Sequence, residues 1–136
     1  AARARGTGKE RSEGAVTRSF AIETKDHGNV RVLGLRGYLD AHTAPRFEAA
    51  IEEELRAGRP RLVADCSGLD YISSAGLGVF MTFIDEARES GGDIKLAAIQ
   101  PKVYQIFDVL GFPALFDIRP TVEEAVARFA AGREEG

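Results

Sequence analysis

The sequence predicts an α/β domain with a mixed, mostly parallel sheet that opens with a β-hairpin and is flanked by about four helices. Apolar residues alternate with period two in short runs and recur at helical spacing in the runs between them, in the order β-β-α-β-α-β-α-β-α. After the hairpin, strands and helices alternate, which favours parallel pairing through right-handed crossovers. We expect one domain over residues 15–132, between a disordered tail at 1–14 and a C-terminal tail at 133–136.

The hairpin is predicted from two alternating runs and the turn chemistry between them. Residues 15–24 alternate in part, with Val16, Phe20 and Ile22 as the apolar members. The segment DHGN at 26–29 is typical of a turn. Residues 30–39 form the second alternating run, which ends at Asp40.

A first helix and a third strand follow the hairpin. Thr43 is placed to cap the helix, and Pro45 falls in the first turn, where its missing N–H costs nothing. Gly58 and Pro60 end the helix, and residues 61–66 form a short β-rich run. The apolar stripe of the helix consists of Phe47, Ile51 and Leu55.

A second helix is predicted to begin near Ser74 and to end at the segment SGGD, residues 90–93. A strand over residues 94–99 comes next, and Pro101 opens a third helix that Gly111 closes. The core-facing residues of the second helix are predicted as Leu77, Phe80, Met81, Ile84 and Ala87, and those of the third as Val103, Ile106, Phe107 and Leu110.

The C-terminal part is predicted as a last strand at residues 114–118 and a last helix. Thr121 and Glu124 have the spacing of a capping box in front of that helix.

Composition excludes several classes of function. A net charge of −3 argues against binding DNA or RNA through its phosphates, because such binding requires a dense basic face. The single Cys66 cannot form an internal disulfide, which fits a reducing compartment. No apolar run reaches the ~18 residues of a membrane span, and residues 1–14 lack the apolar region of a secretory signal.

The stretch CSGLDYISSAGLGVF, residues 66–80, joins a strand to a helix and allows four interpretations. Its serines could cap the helix, which is the most common role of such residues. A phosphate-binding loop is disfavoured, because no lysine follows and Met81 occupies the place of a third glycine. A nucleophilic serine is disfavoured because Ile72 replaces the glycine of a nucleophile elbow. The two histidines, His27 and His42, form no recognisable triad, and no metal-ligand cluster is evident.

The fourth interpretation is that a serine of this stretch accepts a phosphoryl group from a kinase. A hydroxyl at a helix N-terminus can carry a dianion that the free N–H groups of the first turn stabilise. The residues alone allow this interpretation without selecting it.

Three segments in order resemble the STAS domain family, the sulfate transporter and anti-sigma factor antagonist domain. They are GYLDAHTAPRF at 37–47, LVADCSGLDYISSAGLGVF at 62–80 and GGDIKLAAIQPKVYQIFDVLGFPALFDI at 91–118, and the resemblance covers roughly residues 16–130. It implies a STAS-like fold, and the soluble members it is most similar to are bacterial anti-sigma factor antagonists.

This resemblance implies a cytoplasmic binding switch without enzymatic activity or a cofactor. The serine that matches the family's phosphorylated residue is Ser74; Ser73 is the alternative, because it stands where many antagonists have aspartate. The unphosphorylated antagonist sequesters an anti-sigma factor that is also its serine kinase, and a metal-dependent phosphatase reverses the modification. The resemblance implies a partner-binding surface that consists of Asp40, Thr43, Ser73, Ser74, Ala75, Gly76, Leu77 and Gly78.

A second possibility within the same resemblance is a regulatory or scaffold module of a sensory complex, or the cytosolic STAS domain of an anion transporter. The first residue is not methionine, which is compatible with a piece of a larger protein.

Overall fold

The computed structural model describes residues 19–135, with side chains described up to residue 130. The predicted tail at residues 1–14 and the first part of the predicted strand at 15–24 lie outside this range. The elements, in chain order, are β1 (Phe20–His27), β2 (Val30–Leu39), α1 (Ala44–Arg56), β3 (Arg61–Ile72), α2 (Ser74–Glu89), β4 (Asp93–Ala97), α3 (Pro101–Val109), α4 (Phe112–Leu115), β5 (Ile118–Arg119) and α5 (Val122–Glu135).

The five described strands form one sheet whose spatial order is the chain order, β1-β2-β3-β4-β5. The β1–β2 pair is antiparallel, and the other neighbours are parallel. The predicted hairpin is therefore confirmed, with β2 at its predicted bounds. β1 extends through His27, so the turn is shorter than predicted and contains Gly28 in the left-handed region (φ 66°).

Helices cover the two faces of this sheet unequally. Right-handed crossovers that advance in one direction put their helices on the same face, and the main core packs α1 to α4 against strand residues such as Leu33, Leu62 and Leu96. A smaller core on the opposite face packs Ala125 and Phe129 of α5. The strand residues of that smaller core are Val30, Val32, Val63 and Ala97.

Among residues 19–130, two charged side chains are buried, and each is held by ion pairs. Glu54 of α1 accepts hydrogen bonds from Arg31 (3.0 and 3.1 Å) and Arg59 (2.6 Å). Lys95 of β4 donates to Asp93 (2.9 Å) and Asp117 (3.2 Å), and its ammonium lies 4.6 Å from the centre of the Phe129 ring. Pairing of this kind offsets the cost of removing a charge from water.

Asp117 connects three elements through its carboxylate. It accepts hydrogen bonds from Lys95 (3.2 Å), Arg119 (2.7 Å) and Arg128 of α5 (3.0 Å). Burial acts to raise the pKa of Asp117, but the hydrogen bonds from Arg128, Arg119 and Lys95 outweigh it and hold the pKa below its ordinary value.

Several predicted elements require correction. Residues 112–115 form the short helix α4, so the strand predicted at 114–118 is reduced to Ile118–Arg119. β3 continues to Ile72 instead of ending at residue 66, because the chain stays paired with β2 through two register shifts. The segment 133–135, predicted as a C-terminal tail, belongs to α5.

Two predicted core residues are exposed instead. Met81 of α2 is 46% exposed and Leu110, after α3, is 55% exposed. The buried face of α2 includes Val79 and Phe83, which the prediction left out, and it excludes Met81, which the prediction included.

Candidate functional site

Strands β2 and β3 end side by side, and the candidate site lies where they end. Leu39 and Ile72, their last residues, are register partners. The backbone N–H of Ser73 donates to the carbonyl oxygen of Leu39 at 2.9 Å. Because Asp40 follows Leu39 and Ser74 follows Ser73, this hydrogen bond brings the two predicted segments of the site together at the carboxyl edge of the sheet.

Ser73 is the N-cap residue of α2, but its side chain does not cap the helix. Its backbone is extended (φ −102°, ψ 176°), and no hydrogen bond joins its side chain to the first turn. The Oγ atom is buried and has no hydrogen-bond partner among the described residues. The hydroxyl of Ser73 is therefore inaccessible to another protein in this conformation.

Ser74 is the first residue of α2 and is exposed. Intrahelical hydrogen bonding begins at Leu77, whose N–H donates to the carbonyl oxygen of Ser73 at 3.0 Å. The N–H groups of Ser74, Ala75 and Gly76 therefore precede the first intrahelical bond, as expected for a helix N-terminus. These groups and the helix dipole favour negative charge at this position.

The Asp40 loop is a closed turn in front of α1. The Asp40 carboxylate accepts hydrogen bonds from the N–H groups of His42 (3.0 Å) and Thr43 (3.2 Å). Burial acts to raise the pKa of Asp40, but the hydrogen bonds from His42 and Thr43 outweigh it and hold the pKa below its ordinary value. The carboxylate is therefore ionised at neutral pH.

The Thr43 hydroxyl closes the same turn rather than capping α1 as predicted. Thr43 is the N-cap residue, but its side chain makes no hydrogen bond to the helix. Its Oγ1 donates to the carbonyl oxygen of Tyr38 (2.8 Å) and accepts from the N–H of Asp40 (2.9 Å). Thr43 thus fixes the path of the chain from β2 into α1.

The four remaining predicted residues, 75–78, divide into two pairs. Ala75 and Gly78 are partly exposed, whereas Gly76 and Leu77 are buried. A Cβ atom on Gly76 would lie 2.8 Å from Cγ of Leu39 and 2.9 Å from Cγ1 of Ile72, whereas one on Gly78 would meet nothing within 4 Å. Gly76 and Leu77 therefore position α2 against the sheet, and Ala75 and Gly78 reach the surface in part, Ala75 while also packing against the core.

A shallow groove of about 350 Å³ runs between the N-terminal halves of α1 and α2. Its polar members are Glu48 and Thr82. Its small and apolar members are Ala41, Ala44, Pro45, Ala75, Gly78 and Val79. Sequence reasoning assigned only Ala75 and Gly78 of these to the site. The sequence could have indicated Ala44, Pro45 and Glu48 as members of the site, because they lie in the first turns of a helix that starts at the predicted Asp40 loop.

The metal-ligating side chains and the single cysteine of the described residues bear on the chemistry of this edge. Within residues 19–135 no group of three His, Cys, Asp or Glu side chains could hold a metal ion. Cys66 is fully buried, and burial raises the pKa of its thiol to about 12, so the reactive thiolate is not formed. No helix among the described residues is long and apolar enough to cross a bilayer.

Comparison with known proteins identifies relatives for most of the chain. BtrV of Bordetella bronchiseptica, named as a candidate anti-sigma factor antagonist, is 34% identical over 95 residues, which are 70% of this chain and 82% of BtrV. The anti-sigma F factor antagonist of Paenibacillus polymyxa is 27% identical over 79% of this chain and 91% of its own. Both names describe regulatory proteins rather than enzymes.

Solved structures share the fold. The crystal structure of an anti-sigma factor antagonist from Mycobacterium paratuberculosis superposes with a TM-score of 0.76 at 26% identity, covering 82% of this chain and 95% of that one. The murine anion transporter Slc26a9 superposes with a TM-score of 0.67 at 18% identity, covering 79% of this chain and 18% of the transporter, and this likeness concerns the fold alone. The STAS domain model matches residues 21–125, and with the identity to BtrV this match shows that the chain belongs to the STAS domain family.

Proposed function

We propose that this protein is an anti-sigma factor antagonist whose binding is controlled by phosphorylation of Ser74. The observation that carries the proposal is the contrast between two adjacent hydroxyls. Ser74 is exposed on the first turn of α2, whereas Oγ of Ser73 is buried. A kinase has to reach its acceptor oxygen, so the contrast favours Ser74 over Ser73 as the acceptor. The names of the relatives support the antagonist role.

The docking surface for the partner consists of Ser74, the Asp40 loop and the groove between α1 and α2. The small residues Ala44, Ala75 and Gly78 leave room along this groove for a side chain or helix edge of the partner. The partner in this proposal is an anti-sigma factor with serine kinase activity. Sequestering it would release the sigma factor, and a cytoplasmic location follows from the need for ATP.

Phosphoryl transfer requires little of this chain except an oriented hydroxyl. Oγ of Ser74 attacks the γ-phosphorus of ATP held by the kinase, and the bond from that phosphorus to the bridging oxygen breaks. ADP leaves, and the hydroxyl proton passes to a base of the kinase. Positioning and charge stabilisation account for most of the acceleration in such reactions, and the kinase and its Mg²⁺ supply both.

The phosphate would then disrupt docking through charge. It adds about −1.5 to −2 charges at neutral pH to a chain whose net charge is −3. Asp40 is already ionised beside the corner, and Glu48 lies in the groove. The N–H groups at the start of α2 stabilise the dianion on the antagonist itself, so the modified protein stays folded. A phosphatase restores the switch: water attacks the phosphorus, the bond from phosphorus to Oγ of Ser74 breaks, Oγ takes a proton, and inorganic phosphate is released.

The test is a kinase reaction with the candidate anti-sigma factor and ATP, followed by mass spectrometry that locates the phosphate. We expect a single phosphate on Ser74 and the loss of the complex in proportion to modification. A stoichiometric label on Ser73 would overturn the assignment of the acceptor. Failure of the unmodified protein to bind any anti-sigma factor encoded in its genome would overturn the proposed function.

A further inference from the structure

Strand β1 is an edge strand that is long enough to pair with another strand. Among residues 19–135 it pairs only with β2, along its full length of eight residues. An edge strand presents a row of backbone N–H and C=O groups that can pair with a second chain. Proteins commonly prevent this pairing with charged side chains, so the pattern of charges on β1 decides what can bind there.

The ladder determines which backbone groups of β1 face outward. The N–H of Tyr38 donates to the carbonyl oxygen of Ser19 at 3.1 Å, so these two residues form a hydrogen-bonded pair. In an antiparallel ladder such pairs alternate along the strand, and therefore the odd-numbered residues of β1 point their backbone groups at β2. The even-numbered residues, Ile22, Thr24 and Asp26 among them, point theirs away from the sheet.

The start of this edge is already covered. Phe20 is the first outward-facing residue, and Nη1 of Arg46 donates to its carbonyl oxygen at 2.9 Å. The guanidinium of Arg46 also lies 5.3 Å from the centre of the Phe20 ring. The open part of the edge therefore begins at Ile22.

Only one antiparallel register of two β1 strands joins their outward-facing backbone groups without placing like charges opposite each other or needing a carbonyl group that is already covered. An antiparallel copy has to match outward-facing residues, which allows few two-fold registers. Three of them put like charges opposite each other, namely Glu23 on Glu23, Lys25 on Lys25, or Asp26 on Asp26, and such pairs are destabilising. A register centred on Ile22 needs the Phe20 carbonyl that Arg46 covers.

The register centred on Thr24 has none of these conflicts. It places Glu23 opposite Lys25 twice, once on each side of the two-fold axis, and it pairs Ile22 with Asp26 through the backbone. The Asp26 carboxylate keeps its partner Arg31 in β2. The intrachain pair of Glu23 with Arg36 is long (3.7 Å) and exposed, so exchanging it for Lys25 of a second copy costs little.

We propose that β1 is a homodimerisation edge, at which two copies of this chain pair antiparallel about Thr24 and extend one sheet across both. The occupant is a second copy because the charge pattern is self-complementary in this register. β2 lies between this edge and β3, the strand that leads into α2, so the Ser74 corner stays open in the dimer. A short strand pair buries little surface, and we expect a dissociation constant between about 10 μM and about 1 mM.

The test measures the monomer–dimer equilibrium by sedimentation, for the full chain and for variants in which the charge of Glu23 or Lys25 is reversed. We expect a monomer–dimer equilibrium for the wild type. Glu23→Lys alone or Lys25→Glu alone should weaken it at least tenfold, because each places like charges opposite each other. An equimolar mixture of these two variants should restore dimers, since every facing pair is then Glu–Lys. Both side chains are exposed, so neither change should affect folding, which circular dichroism checks.

Amide hydrogen exchange identifies the edge independently of affinity. With rising concentration the amides of Ile22, Thr24 and Asp26 should become protected, whereas those of Glu23 and Lys25 are protected at every concentration by β2. A monomer up to about 1 mM, or a dimer that is insensitive to both charge changes, would overturn the proposal. So would a mixture of the two variants that remains monomeric.

Discussion

The carbonyl oxygen of Leu39 accepts a hydrogen bond from the N–H of Ser73 at 2.9 Å, and the Leu39 side chain lies under Gly76. One residue at the end of β2 therefore sets both the direction in which α2 starts and the depth at which it packs. Asp40, the next residue, begins the loop beside Ser74. The geometry of the candidate site thus depends on a buried residue that touches no partner.

Replacing Gly76 with alanine should destabilise the fold. The added Cβ would lie 3.0 Å or less from the side chain and the carbonyl oxygen of Leu39, so α2 has to shift. We expect the free energy of unfolding, measured in urea, to fall by about 1–3 kcal/mol. Gly78→Ala is the matched control, because its Cβ meets nothing within 4 Å, and it should leave stability unchanged or raise it by up to about 1 kcal/mol. Equal effects of the two changes would contradict the close packing at Gly76.

Replacing Ser73 with alanine should be tolerated. Its buried Oγ makes no hydrogen bond to the described residues, so removing it removes an unsatisfied group. We expect the free energy of unfolding to stay the same or rise by about 1 kcal/mol, with phosphorylation of Ser74 retained. Thr43→Val is the counterpart, since it removes the hydrogen bonds to Tyr38 and Asp40 and should cost about 1–3 kcal/mol. A large loss for Ser73→Ala would mean that the hydroxyl has a partner in solution.

A permanent negative charge at Ser74 should imitate the phosphorylated form. We expect Ser74→Asp to weaken binding to the anti-sigma partner at least tenfold in calorimetry, and Ser74→Ala to bind like the wild type. Aspartate carries less charge than a phosphate, so the effect should be smaller than that of phosphorylation itself. Ser90→Asp adds the same charge at the other end of α2 and is the control for net charge. If both aspartate variants weaken binding equally, the position of the charge is irrelevant, and the proposal that phosphorylation of Ser74 controls binding is wrong.

The stability of the protein should depend on pH through Asp117. The pKa of this group is lower in the folded chain than its ordinary 3.8, so its contribution is present above pH 3.8 and is lost as the pH falls below that value. Asp117→Asn should lower the free energy of unfolding at pH 7 by about 1–3 kcal/mol, and the difference from the wild type should shrink on acidification. Asp85→Asn, on the exposed face of α2, is the control. A difference that stays constant down to pH 2 would refute the role of the ionised carboxylate.

Regular periodicity made much of the fold predictable. β2 has its predicted bounds, although Val32 and Leu33 are both buried on opposite faces of the sheet, and α2 begins at Ser74 where polar residues give way to a helical pattern. The segment 112–118 misled the prediction because an apolar run of four to seven residues fits a strand or a buried helical turn equally well. Phe112 packs against the rings of Phe107 in the preceding helix and of Phe80 in α2, and the contact with Phe80, which is far away in sequence, could not be predicted.

The chemical types at the candidate site were also predictable, but their exposure was not. Ser73 and Ser74 are identical in sequence terms, and only the path of the chain from β3 into α2 buries one oxygen and exposes the other. The burial of Glu54 was hidden for the same reason, because Arg31 in β2, which pairs with it, is far away in sequence. The groove could not be predicted, because it depends on the angle at which α1 and α2 pack against each other, and the sequence does not give that angle.

The order of the strands across the sheet is also the order in which a ribosome makes them. Each of the described strands after β1 finds its neighbour in the strand synthesised just before it, so loop closure involves only the turn or the helices between the two strands. We therefore expect the sheet to assemble during translation, one strand at a time. The face that α5 covers would close last, since its last contacts await the end of the domain.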